Sequence, residues 1–309
     1  MTRKTAATGI TCTMAVTAIL VAACSSGAGH PAGGSTEPPV SSTPAITDPA
    51  ALALPIDAYK ITNDQYQKID AATIAVEISC MKRYGFDYGS YVVPSTGPNG
   101  PDQNARRYGV VDPAVASQYG YHPHNPPQST TRPPVPKMSD VMFSVLGSGA
   151  GPHVGLPTPA TYNGVAVPKG GCVGEAENKL DTGGTDIGLG GVVQKIGSDG
   201  FNHSLSDDRV KAAFAAWSSC MQAVGYTYAT PNDAANDPNW HTESVSTSEI
   251  ATATADVRCK QKTNVIGIWF AVESAYEQQM IEQHAPELAQ VKKNIDDALK
   301  RADAAVGAS

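Results

Sequence analysis

Apolar residues recur at helical spacing in two stretches of the chain that resemble each other. In residues 210–224 the large apolar side chains fall on one side of a helix: Val210, Phe214, Trp217, Met221 and Val224. Residues 71–88 align without gaps on residues 211–228 and share seven of eighteen residues. The repeat therefore predicts two related helices, each ending at a glycine, Gly85 or Gly225, in a left-handed C-terminal cap.

Further helical patterns fill the last third of the chain. Ser246 with Glu249 forms a helix-start signal, and no proline interrupts residues 247–285, so a single long helix is expected there. Pro286 begins a C-terminal helix over 286–309, whose apolar stripe consists of Leu288, Val291, Ile295, Ala298 and Ala302. We expect this helix to fold back on the body, and docking of a partner's helix is the alternative.

Residues 89–170 break the helical pattern. They hold fourteen of the 23 prolines and eleven glycines, so long helices and central strands cannot be continuous there. Tyrosines and two arginines in and beside this irregular insertion form a candidate ligand surface: Tyr84, Tyr88, Arg106, Arg107, Tyr108, Tyr119, Tyr121 and His122. Such a surface can stack on sugar rings or clasp a peptide. The alternative is that the rings fill gaps under a long loop.

The N-terminus carries a secretory pattern. Residues 1–23 combine two early basic residues with an apolar run that is too short for a lasting membrane span. The run Val21-Ala22-Ala23-Cys24 resembles the lipobox of bacterial lipoproteins, which predicts that Cys24 is acylated and becomes the first mature residue. An ordinary secretory signal with a chance cysteine is the alternative. The prediction places the protein at the outer face of the cell membrane, with the lipid bilayer as a partner.

A tether and a helical body are expected after Cys24. Residues 24–56 are rich in Ser, Gly, Ala, Thr and Pro, which is typical of a disordered linker. Residues 57–285 form the predicted body, with repeat units at 57–180 and 200–285. The fold class expected is mainly α: a disulfide-clipped helical body with duplicated helix-Cys units and the irregular insertion.

Four cysteines remain for the body: Cys80, Cys172, Cys220 and Cys259. An even number outside the cytoplasm favours two disulfides. Each repeat helix carries one cysteine and has a second one downstream, so the pairs Cys80–Cys172 and Cys220–Cys259 are predicted. The pairing Cys80–Cys220 stays open, and a metal site is disfavoured because no CxxC spacing occurs.

Charge and motifs exclude several classes of function. The net charge of −7 becomes −9 once residues 1–23 are removed, and without a basic patch no nucleic-acid partner is expected. The motifs of serine hydrolases, P-loop proteins and zincins are missing from the sequence. Penicillin-binding enzymes are disfavoured as well, because an S-x-x-K match at residues 79–82 stands without the S-D-N and K-T-G motifs that accompany it. The pair His122 and His124 lacks a third metal ligand, and Glu175 and Glu177 would diverge on a helix. No catalytic residue, cofactor or metal is predicted.

Several motifs together resemble one family. The lipobox, the two CMxxxG[FY]xY helices, and the stretches at 106–122, 167–180 and 207–221 are similar to a group of uncharacterised actinobacterial secreted lipoproteins. The resemblance covers most of residues 57–283. The resemblance implies that the protein works together with an ABC-type exporter and an envelope adaptor. It implies no enzymatic activity.

The expected function is therefore that of a non-enzymatic binding or accessory protein of the cell envelope, working with an exporter or an adaptor. A cell-wall or carbohydrate hydrolase with an unrecognised site is the alternative. A solute-binding protein for import is a third hypothesis, but the alternating strand and helix pattern of two α/β lobes is missing from the sequence.

Overall fold

A computed structural model describes residues 37–48, 52–91, 104–123, 138–147 and 156–307. Residues 1–36, with the predicted signal peptide and Cys24, lie outside this part. The described chain is mainly helical, which confirms the fold class. Its helices are α1 (Asn63–Lys82), α2 (Pro113–Tyr119), α3 (Asp140–Leu146), α4 (Gly171–Leu180), α5 (Gly191–Ser206), α6 (Asp208–Ala223), α7 (Pro231–Ala235), α8 (Thr247–Thr263), α9 (Val265–Gln283) and α10 (Ala285–Gly307). Two short strands, β1 (Thr161–Tyr162) and β2 (Val165–Ala166), form an antiparallel hairpin.

The two repeat helices, α1 and α6, end in the same way. Gly85 and Gly225 take left-handed backbone angles, with φ of 82° and 94°. The N–H of the next residue donates back to the helix in both copies, from Phe86 to the Met81 carbonyl at 3.2 Å and from Tyr226 to the Met221 carbonyl at 3.0 Å. This bond across five residues is the mark of a Schellman cap, so the predicted helix ends are confirmed.

Both predicted disulfides are present. Cys80 of α1 joins Cys172 in the first turn of α4, and Cys220 of α6 joins Cys259 of α8. Because α4 is joined at its beginning and α8 near its end, the two clipped helix pairs are alike in their first helix only. The pairing Cys80–Cys220 is thereby excluded.

The expected long helix over 247–285 is wrong. Asn264 adopts a left-handed conformation, with φ of 53°, and separates α8 from α9. The side-chain amide of Asn264 donates to the Thr43 carbonyl at 3.4 Å, and the Pro44 carbonyl lies against the Cα of Gly267. Asparagine tolerates this backbone conformation better than most residues, and a distant segment of the chain occupies the space beside the break.

The C-terminal helix folds back on the body, as expected. Helix α10 packs chiefly on α1. All five residues of its predicted apolar stripe are buried there: Leu288, Val291, Ile295, Ala298 and Ala302. The stripe is therefore covered by this chain, and a partner's helix cannot use it without displacing α1.

The predicted tether over 24–56 extends too far toward the C-terminus. Leu52, Leu54 and Ile56 are buried, and Ile46 is 9% exposed. Residues 37–48, which we call the strap, run without regular structure across the start of α6, where the Glu37 carboxylate accepts the N–H of Asp208 at 3.1 Å. The few apolar residues in this Pro- and Ser-rich stretch bind it to the helices, so the folded unit begins at Glu37.

The insertion also contributes to the body. Residues 104–123 supply Tyr108, Val110, Val111 and Tyr121 to the core formed by α6, α8 and α9. Helix α3 buries Met142, Val145 and Leu146 over the Cys80–Cys172 disulfide. The predicted repeat units 57–180 and 200–285 are therefore not separate packing units, because part of the first completes the core of the second.

Candidate functional site

Helix α5 presents one side to a groove that other segments close. Two adjacent rows at four-residue spacing line the groove: Val193, Gly197 and Phe201, and Gln194, Ser198 and Asn202. The neighbouring side of α5, with Gly200 and Ser204, packs on α9. We call this cavity the α5 groove. Its volume of about 650 Å³ lies in the range typical of small-molecule sites.

A glycine in the loop before α5 holds one wall of the α5 groove in place. Gly188 has φ of 82°, and a side chain there would meet the Tyr59 carbonyl oxygen at 2.6 Å. The loop can therefore lie directly on the backbone of residues 59–61. The next residue, Leu189, is 45% exposed at the groove, so this wall offers apolar surface to a bound molecule.

Arg107 supplies one of the two charges in the groove lining. Its Nε donates to the Glu273 carboxylate at 2.6 Å, and its Nη2 donates to the same carboxylate and to the Gly197 carbonyl. The guanidinium lies 5.1 Å from the ring centre of Phe201. Its Nη1 bonds no residue of the described chain, so two N–H donors remain for a ligand.

Lys60 supplies the second charge in the lining. Its Nζ contacts the Asp57 carboxylate at 2.6 Å, and the lysine side chain is 24% exposed. Asp57 is fixed from behind, because its other oxygen accepts the amide of Asn104 at 2.6 Å and the N–H of Leu54 at 2.8 Å. Lys60 therefore lines the groove together with a counter-charge that is itself held in place.

Two glutamates of α9 lie in the core near Arg107 and are fully buried. Glu273 accepts the Tyr108 hydroxyl at 2.6 Å in addition to Arg107, and burial raises its pKa. Glu277 accepts the Ile56 N–H at 3.0 Å, while its second oxygen has no partner among the described residues. Burial raises the pKa of Glu277 to about 8, so this side chain is mostly neutral at pH 7.

Gly197 is an unusual residue for the middle of a helix. A glycine there destabilises a helix by about 0.5–1 kcal/mol relative to alanine. Packing does not require it, since an added Cβ would meet only the Ile56 side chain, at an ordinary distance of 3.8 Å. The glycine therefore keeps space in the α5 groove at a position where folding alone would favour a larger residue.

A second polar cluster lies around Glu249, which is fully buried. One oxygen of Glu249 accepts the N–H groups of Tyr121 and His122 and contacts the His122 Nδ1 at 2.8 Å. The His122 Nε2 lies 2.9 Å from the Thr242 carbonyl. Both ring nitrogens thus face acceptors, an arrangement that only the protonated imidazolium satisfies. The hydrogen bond to Glu249 is the main cause that raises the pKa of His122.

A third buried cluster joins α8 to the core. The Asp256 carboxylate accepts Trp217 Nε1 at 3.0 Å and contacts the Lys260 Nζ at 2.9 Å, and Lys260 also donates to the Val110 carbonyl. The Tyr121 hydroxyl donates to Asp256 at 3.3 Å. Since every charged group here is buried and bonded, the cluster is a packing element of the core.

Within the described residues, the tyrosines of the predicted ligand surface are buried or half-buried. Tyr84, Tyr108 and Tyr121 are buried, with hydroxyls bonded to the Ala166 carbonyl, Glu273 and Asp256. Tyr88 and Tyr119 are half-buried. Arg106 donates to the carbonyls of Tyr121 and His122. Of the eight candidate residues, only Arg107 lines the α5 groove. The described residues therefore agree better with the alternative, in which the rings pack beneath the insertion.

The remaining candidates are the carboxylate pair Glu175 and Glu177 and the histidine pair that includes His124. Glu175 and Glu177 do not form a pair, because Glu175 bonds Arg83 and Lys179 on the surface. His124 lies outside the described residues, and within them no group of three or more His, Cys, Asp or Glu side chains is arranged to hold a metal ion. None of the described helices has the length and apolar character needed to cross a membrane.

Sequence reasoning missed most of the α5 groove. The sequence pattern does not indicate Gly197 or the two glutamates behind Arg107, Glu273 and Glu277, although two glycines inside the helical pattern of 191–206 are a signal that packing or function needs space there.

Comparison with protein-family models, curated proteins and solved structures finds no match for the chain. The resemblance to actinobacterial lipoproteins therefore stays a prediction from the motifs alone.

Proposed function

We propose that the protein is an extracytoplasmic lipoprotein, held at the outer face of the cell membrane by an acylated Cys24, that acts as a non-enzymatic binding protein of the envelope. The α5 groove is the observation that carries binding. It combines an exposed leucine, unbonded polar side chains and two fixed cations on a scaffold clipped by two disulfides. The disulfides support the compartment, because such bonds persist in oxidising surroundings.

The groove chemistry favours binding over catalysis. Each of its cations is held by a carboxylate, Lys60 by Asp57 and Arg107 by Glu273. Groups fixed in this way orient and neutralise a ligand. We also propose that an exporter or an envelope adaptor is the protein partner, and since α10 is part of the core, that partner docks on a surface other than the α10 stripe.

Membrane fractionation tests the anchor. We expect Cys24→Ser to lose the acyl mass and to leave the membrane fraction, because two acyl chains are the minimum for stable anchoring. A Cys12→Ser variant is the matched control, since Cys12 lies inside the predicted signal peptide, and it should fractionate like the wild type. An unchanged membrane fraction for Cys24→Ser would refute the lipobox.

Affinity capture of the full-length protein from detergent-solubilised membranes tests the partner. Recovery of an exporter or an adaptor supports the accessory function, and recovery of abundant envelope proteins alone counts against it. Release of fragments from purified cell wall by the wild-type protein would favour the hydrolase alternative and overturn a purely binding role.

A further inference from the structure

We propose that the α5 groove is an anion site for a small amphipathic molecule, one that joins a carboxylate or phosphate group to an apolar body. This inference rests on the proposed binding function and names the ligand class. The charge, the free donors and the shape of the groove support this assignment.

The charged side chains that line the groove are both cations. Lys60 and Arg107 reach its surface, whereas the carboxylate of Glu273 is fully buried behind Arg107 and that of Asp57 is 14% exposed behind Lys60. A molecule entering the groove therefore meets two positive charges and no carboxylate among the described lining residues. The ion pairs with these two carboxylates keep the cations in place.

Both cations keep N–H groups that bond no residue of the described chain. Arg107 has both N–H groups of Nη1, and Lys60 uses one bond of the three that its ammonium can form. Hydrogen bonds from a charged donor to an anion are about twice as strong as neutral ones. A carboxylate or a phosphate offers the several acceptor lone pairs that these donors require.

The rest of the groove suits an elongated apolar body. Leu189 provides an exposed apolar wall, and the nearly buried Val193 and the glycine at 197 line the groove beside it. The lining of α5 runs from residue 193 to 202, which is about 14 Å at 1.5 Å per residue. The row Gln194, Ser198 and Asn202 makes no side-chain hydrogen bond within the described chain and borders this strip with polar groups.

Binding of three eight-carbon probes tests the proposal. Octanoate and octyl phosphate carry the anionic head, and octanamide is the neutral control of similar shape. By calorimetry on the full folded chain we expect the anions to bind at least about tenfold more tightly than octanamide, as charged hydrogen bonds allow. Binding should weaken with added salt, because the cations are partly exposed.

Two variants and one matched control place the probes in the groove. We expect Lys60→Gln to weaken anion binding about tenfold and to leave octanamide unchanged. Gly197→Leu should abolish binding of all three probes by filling the groove. Lys195→Gln is the control, because Lys195 lies on α5 outside the groove lining and pairs with Asp199, and it should bind like the wild type.

Glu277 adds a pH dependence that packing alone would not produce. The groups that surround it are Asp57 of the 3-10 turn at 55–59, Arg107 of the insertion and Glu273 of the preceding turn of α9. Ionisation of Glu277 above about pH 8 adds a negative charge near Arg107. Anion affinity should therefore fall above pH 8 in the wild type and less in Glu277→Gln, with equal affinities at pH 6.

Each outcome decides the matter. Octanoate alone assigns a carboxylate ligand, octyl phosphate alone assigns a phosphate ligand, and binding of both supports the shared anion chemistry. Equal affinity for octanamide, or no binding by folded wild-type protein, overturns the anion site. Neither of these two results bears on the proposed anchor or on the proposed partner. Membrane fractionation and affinity capture test those separately.

Discussion

His122 is the residue whose protonation has the clearest structural consequence. The imidazolium joins the buried Glu249 of α8 to the Thr242 carbonyl of an exposed loop. Arg106 is the other charged group that acts on it, and it opposes protonation weakly. One of the two ring hydrogen bonds is lost when the imidazolium loses its proton, so the attachment of the 241–246 loop depends on pH.

We expect the His122 ring to titrate above its ordinary pKa of about 6.5, as measured by NMR of the ring protons. Because the pKa is raised in the folded state, the stabilisation is fully present below pH 6.5 and is lost as the pH rises through the folded pKa. Stability of His122→Gln should consequently change less over that range than stability of the wild type. A ring midpoint at or below 6.5 would contradict this account.

Residue-level features differ in how far the sequence reveals them. Gly85 and Gly225 are predictable, because a cap is decided by bonds within five residues. The burial of Tyr108 and Tyr121 is not, since their partners Glu273 and Asp256 lie 165 and 135 positions away. A tyrosine pattern is the same for an exposed surface and for a core.

The two disulfides each join a repeat helix to a later helix, but they close loops of different length. Their cysteines are 92 and 39 residues apart. In the chain-entropy description, closing such loops stabilises the folded state by about 4.6 and about 4 kcal/mol. The shorter loop lies within the second repeat unit, whereas the longer one encloses the insertion.

We expect Cys220→Ala with Cys259→Ala to lower the free energy of unfolding by about 4 kcal/mol, since the unfolded chain regains the freedom of the loop. The pair Cys80→Ala with Cys172→Ala should cost slightly more, about 4.6 kcal/mol, because its loop is longer. Guanidinium unfolding of both variants without reductant gives the comparison. A loss below 1 kcal/mol for either pair would show that the bond contributes little.

At the scale of elements the sequence predicted helix ends and cysteine pairs but not the break between α8 and α9. The pattern from 247 to 285 stays helical across Asn264, and what lies beside the break is the strap, more than 200 residues earlier. The α5 groove was hidden for a similar reason, because Lys60, Arg107 and α5 come together only in the folded chain.

On the scale of the whole molecule the strap marks where the body begins. Val40 and Ile46 pack on the core of α6, α8 and α9, and Arg209 donates to the Pro38 carbonyl at 2.9 Å. A composition rich in Ser and Pro concealed these few contacts in the sequence. The predicted tether therefore extends too far, because residues 37–48 belong to the body, whereas residues 24–36 lie outside the described part.

Two N-terminal truncations test the strap. A protein that begins at residue 37 should unfold at the same temperature as the mature chain. A protein that begins at residue 49 should lose about 2 kcal/mol, because the burial of Ile46 and Val40 disappears and the N–H of Asp208 loses its acceptor. Equal melting temperatures for the two truncations would show that the strap adds no stability.

The strap also determines how the body would respond to a mechanical pull on an acylated Cys24. Force transmitted along the chain would reach the contacts of Glu37 and Pro38 first and those of Ile46 last. The strap would peel away one contact at a time, and its twelve residues would release about 40 Å of chain. Helix α1 and the disulfides would bear no force until that length of chain was released, so the strap would act as an extensible link between an acylated Cys24 and the body.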